Sequence, residues 1–170
     1  MSFSIRSLIA QLFAKPPELV IPSDLWVELI SGLRERGRFE RESGAFLLGG
    51  KTGPRVVRSV VFYDEIDSHA VDHGICIIDG SYMADLWKIC RERGETVLAD
   101  VHTHPGASYQ SESDRLHPMI AEPGHIALII ARFAANPVSI KETGFYRYLG
   151  DFRWSSLPST FFRPTLHIQG

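Results

Sequence analysis

The chain has 170 residues, 44% hydrophobic and 22% charged, with a formal net charge of −2. That length suits one domain around one core, and the composition excludes disordered, collagen-like and membrane-embedded classes. Without a Lys/Arg block nucleic acid is not an expected partner, and with no run of about 18 apolar residues neither is a membrane. Cys76 and Cys90 are too few for a disulfide framework and lack metal-type spacing, which fits a reducing cytoplasm.

In the opening stretch, Ile5, Leu8, Ile9, Leu12 and Phe13 share one helical stripe, and Pro16-Pro17 ends it. The expected organisation is an N-terminal helical extension over 1–17 and a domain over 18–170. Arg6, Ser7 and Gln11 interrupt the apolar run, and Lys15-Pro16-Pro17 stands where a signal peptide needs small residues. Ser23 is the expected N-cap of a helix reaching about Gly37, with Leu25, Trp26, Leu29, Ile30 and Leu33 on one face. Residues 45–50 and 55–63 read as a strand pair, 64–74 as a polar loop, and 75–78 as a short strand offering a free sheet edge. Asp79 can cap a helix over 80–93, with Met83, Leu86, Trp87 and Cys90 facing inward. A strand over 96–103 precedes a loop over 103–113. The continuous apolar run 126–131 reads as a strand buried on both faces, and 144–149 with 152–155 as a hairpin around Gly150-Asp151. Elements mixed without strict alternation predict one α/β (α+β) domain, a curved mixed sheet flanked by helices.

The chemistry concentrates in residues 99–114, ADVHTHPGASYQSESD. Residues two apart on a strand point the same way, so His102 and His104 present two imidazoles to one point. A catalytic zinc takes three protein ligands of this kind and leaves one position to water, whose pKa it lowers to about 7. Pro105 and Gly106 turn the chain, and Asp114 can return a carboxylate as third ligand. Glu42, at the entrance of an apolar strand, is the candidate base, because a carboxylate there is costly without a task. Ser111 can donate its hydroxyl to a developing oxyanion.

Glu42, His102-Thr103-His104-Pro105 and Ser111-Glu112-Ser113-Asp114, taken in order, resemble the JAMM (MPN-plus, JAB) metalloproteases over residues 23–158. The resemblance implies an MPN-like fold, one Zn²⁺ on His102, His104 and Asp114, Glu42 as general base and Ser111 supporting the tetrahedral intermediate. It also implies a peptidase or isopeptidase acting at the tail of a ubiquitin-like protein, most like bacterial stand-alone members that accompany E1-like and E2-like enzymes. Related proteins release an amino acid from a sulfur-carrier protein, and MPN-type scaffolds bind without cutting. Family members place seven residues between the second histidine and the serine; this chain has six, 105–110, which keeps Ser108 and Ser113 as alternatives to Ser111.

Ser111-x-x-Asp114 is also a helix-capping signature, but beside two spaced histidines ligation accounts for it better. Glu40 also lies near the strand entrance, although only Glu42 stands seven residues before Gly49, as the JAMM pattern it resembles asks. The phosphate-loop look of 44–52 fails on spacing and context, since a strand rather than a helix follows. His69, His73, His117, His125 and His167 have no spaced partners and read as surface or structural histidines.

Overall fold

In the computed structural model, which describes residues 17–72, 76, 78–135, 137–157 and 165–170, the apolar runs build a mixed sheet between helices. The elements are β1 (Leu19–Pro22), α1 (Ser23–Gly37), β2 (Gly44–Gly50), β3 (Val57–Phe62), α2 (Met83–Arg93), β4 (Glu95–Thr103), α3 (Glu112–Leu116), β5 (Ile126–Ile130), β6 (Gly144–Gly150), β7 (Arg153–Ser156) and β8 (Leu166–Gln169). The main sheet runs β3-β2-β4-β5-β6-β7 and is antiparallel except between β4 and β5; β1 and β8 form a small parallel pair. The single mixed α/β fold is as the composition and patterning predict.

Alternation along the central strands decides what packs where. Ala45 and Leu47 of β2 join Leu29 and Leu33 of α1 in one cluster, while Phe46 and Leu48 face Leu86 and Cys90 of α2. All five residues of β5 are buried, as expected for a strand covered on both faces.

Three local expectations are corrected. Pro22, not Ser23, occupies the cap position of α1, without a side-chain cap bond, because β1 runs straight into the helix. Trp87 is 38% exposed rather than inward, since Leu86 and Cys90 occupy the inward stripe one residue away. Segment 64–72 is no plain polar loop, because Ile66, Ala70 and Val71 are buried in the α2-side cluster. Asp79 does cap, but it caps a 3₁₀ turn, Gly80–Tyr82, that leads into α2. The expected helix within 1–17 and the edge residues Ile75 and Ile77 lie outside the described residues.

Candidate metal centre

β4 sends Asp100 and His102 to the α2 face, and the chain carries His104 one step past the strand end. The Nε2 atoms of the two histidines lie 2.9 Å apart. The backbone fixes the second histidine: His104 N–H donates to Ile130 O at 2.9 Å, Phe133 N–H to His104 O at 2.8 Å, and Arg132 N–H to Gly106 O at 2.9 Å. Arg132, Phe133 and Ala134 hold φ of 55°, 50° and 56°. Left-handed backbone costs ~1–2 kcal/mol per non-glycine residue, so strain is stored in the turn that grips His104.

The loop after His104 is routed by an absent side chain. A Cβ on Gly144 would sit 2.1 Å from Ser108 O, and Tyr146 Oη donates to that same carbonyl at 2.9 Å. The chain then enters α3 through a capping box: Asp114 N–H donates to Ser111 Oγ at 3.1 Å, and Ser111 N–H donates to Asp114 Oδ2 at 2.6 Å. Capping and ligation are therefore not alternatives. The box itself aims the Asp114 carboxylate, placing Oδ1 3.4 Å from His102 Nε2 and Oδ2 3.2 Å from His104 Nε2.

The three groups can hold a metal ion, with ligand atoms all within 4.8 Å of one another. Bonds of about 2.0–2.1 Å in a tetrahedron put ligand atoms roughly 3.3–3.4 Å apart. The separations from each histidine to its nearer Asp114 oxygen, 3.4 and 3.2 Å, match that spacing, and the two imidazole nitrogens, 2.9 Å apart, are somewhat closer.

Glu42 Oε1 stands 3.9 Å from His104 Nε2, and Oε2 accepts the Cys76 N–H at 3.3 Å. Glu40 is exposed and lines no part of the cleft. Burial raises the Glu42 carboxyl above its ordinary value, against the pull of both histidines. For Asp114 burial pushes upward too, but hydrogen bonds from His102 and His104 prevail and hold it well below the carboxylate range. His102 shows the converse: burial disfavours its charge, and Asp114 overrides that and raises it.

Behind the centre lies a network that sequence reasoning missed. His125 Nε2 meets Asp100 Oδ1 at 2.5 Å, and Tyr63 Oη donates to Asp100 Oδ2 at 3.3 Å. The Tyr63 ring packs onto Gly44, where a Cβ would come within 2.1 Å. Alternation with His102 was the available signal for Asp100; no spacing pattern links it to His125 or Tyr63. Burial pushes the Cys76 thiol up, and the backbone N–H of the same residue donates to Glu42 and orients it.

A cleft of about 770 Å³ opens from these residues. Glu42, His102, Ser111 and Asp114 line one part, and Ile78, Met83, Leu116, Met119 and Trp154 are among the residues that line another. Ser113 also faces the cleft, while the Ser108 carbonyl is held by Tyr146. Among the described residues no helix is long and apolar enough to cross a membrane.

A probable metalloprotease of Sinorhizobium fredii is 24% identical over 144 residues, covering 83% of this chain and 88% of that protein. The solution structure of a protein from Desulfitobacterium hafniense superposes with a TM-score of 0.62 at 18% identity, covering 89% of this chain and 94% of that one. A second solution structure, from Salinibacter ruber, gives 0.54 at 20% identity over 86% and 91% of the two chains. At such identities the structures speak for the fold alone. The model describing prokaryotic homologues of the JAB domain matches residues 25–143. The chain belongs to that family, and the relationship together with the His102, His104 and Asp114 cluster points to a metal-dependent peptidase.

Proposed function

We propose that the protein is a zinc-dependent isopeptidase or peptidase that cleaves after the C-terminal tail of a ubiquitin-like protein, removing it from a conjugate or trimming a precursor. The observation that carries this is the convergence of His102, His104 and Asp114 beside Glu42 at one end of the cleft. Two imidazoles and one carboxylate suit zinc. The ion supplies a Lewis acid and an activated water there. Glu42, its carboxyl raised by burial, accepts the proton of the attacking water and returns it to the leaving amine. Ser111 Oγ accepts from Asp114 N–H and keeps its own proton to donate to the developing oxyanion.

The apolar part of the cleft supports an extended tail, with small residues next to the scissile carbonyl. The partner in this reading is a ubiquitin-like protein or its conjugate, with E1-like and E2-like enzymes acting in the same cytoplasmic pathway. A scaffold has no use for a complete donor set beside a half-buried glutamate. The test is cleavage of a fusion at a ubiquitin-like Gly-Gly terminus, with unfolded casein as competitor. We expect the fusion to be cut, casein to be ignored, and Glu42→Gln to keep metal while losing about 10²–10⁴ of turnover. Efficient digestion of casein overturns the substrate assignment, and full activity of Glu42→Gln overturns the role of the base.

A further inference from the structure

Glu42 lies outside the regular ladder, because β2 begins at Gly44 and the last β2–β4 pair is Gly44 with His102. Its distance from His104 is set by how the chain enters β2. Two residues govern that entry. Thr103 N–H donates to Ser43 O at 2.9 Å, and Ser43 N–H donates to Thr103 Oγ1 at 3.0 Å. The Ser43 hydroxyl donates to Leu33 O of α1 at 2.7 Å, and its oxygen lies 3.4 Å from Thr103 Oγ1. Ser43 has one proton and gives it to Leu33, so the Thr103 hydroxyl is the donor between the two. Both side-chain hydroxyls and both backbone N–H groups of the pair are then used, and both residues are 0% exposed.

Alternation sets this pair back to back with the site: Glu42 and Gly44 flank Ser43, as His102 and His104 flank Thr103. Neither Ser43 nor Thr103 lines the cleft. We propose that Ser43 and Thr103 are positioning residues, a clamp on the α1 side of the sheet that fixes Glu42 against His104. The inference rests on the hydrolase reading only for its kinetic consequence. A valine at 103 fills the same space but strands the Ser43 N–H in the core. The escape for that N–H is to peel away toward water, which takes Glu42 with it, and a misplacement of about 1 Å in a catalytic group can cost 10²-fold in rate.

The test has two arms. In metal-free protein, amide hydrogen exchange should show the Ser43 N–H protected in wild type and fast in Thr103→Val, with the Leu47 amide still protected; Thr103→Ser should restore protection. In zinc-loaded protein, Thr103→Val should keep its metal and KM while kcat falls by up to about 10²-fold, and Thr103→Ser should recover most of the turnover. Wild-type exchange and kcat in Thr103→Val overturn the clamp, as does a serine variant no better than valine. Loss of zinc from Thr103→Val also overturns it, because the residue would then serve the histidines rather than Glu42. If Thr103→Val fails to fold, Ser43→Ala cuts the link to α1 and should show the same kcat loss at unchanged KM; a wild-type kcat there overturns the clamp. Should wild-type protein cleave no substrate, the proposed function fails, and the exchange arm still decides this inference.

Discussion

On the α1 face of the sheet, Ala45, Leu47, Ala99, Val101, Leu128 and Ile130 join Leu29 and Leu33 in one continuous apolar cluster. On the α2 face the apolar residues divide. Phe46 belongs to one cluster and Ala127 to another, and the residue paired with both is Asp100. Each fully buried aliphatic side chain contributes about 1.5–3 kcal/mol, so the closed face carries much of the folding energy. The second face can therefore hold three carboxylates, three histidines and a cleft. Burial of such groups is costly unless they are paired, and among the described residues no buried side-chain polar atom lacks a partner. One face is built to be stable and the other to be open.

The sharpest way to break that contrast is to remove a donor from the open face. His102→Ala should lose the metal and all measurable turnover while circular dichroism still shows a folded protein. Elemental analysis after zinc-replete growth checks the first, and retained metal would sink the assignment of the centre. Collapse of the fold would show that the open face carries stability after all.

Much of this arrangement was legible because its signals are local. Alternation in β4 announced His102 and His104 on one side, and the x-x spacing from Ser111 to Asp114 announced a turn of helix. The same periodicity located α1, β2, β5 and the β6–β7 hairpin to within a few residues. Glu42 could be separated from Glu40 only by its distance to Gly49, a distinction that burial makes plain. What stayed hidden depends on tertiary contact. Asp100 meets partners 25 and 37 residues away, and nothing along the chain connects them. Trp87 misled because large apolar residues on either side of the true stripe fit a helical face almost equally well.

Ser111 allows a finer cut, since its side chain caps α3 and faces the cleft. Ser111→Ala should cost about 1 kcal/mol as a lost cap. As a lost oxyanion donor it should lower kcat by about 10²–10³. Ser111→Asp separates the two effects, because aspartate caps well but has no proton to donate: stability should return and turnover should not. Ser108→Ala and Ser113→Ala should change little. Turnover restored by aspartate would reduce Ser111 to a helix cap, and a damaging Ser113→Ala would transfer the donor's task.

The smallest expected effect on turnover comes from the closed face, at Leu47 of β2. Leu47 is 0% exposed, pairs with Val60 and Ala99, and lines no part of the cleft. Truncating a buried leucine to alanine costs about 2–5 kcal/mol, from lost transfer energy and from the cavity left behind. The neighbouring strands keep their ladder, because the main-chain hydrogen bonds of β2 do not involve the side chain. Leu47→Ala should therefore unfold at clearly lower denaturant concentration with an unchanged m-value. Below that transition its metal content and its kcat per folded molecule should match wild type. A fall in kcat before any unfolding would mean that packing on the α1 face reaches through the sheet to the donors, and the two faces would have to be treated as one cooperative unit.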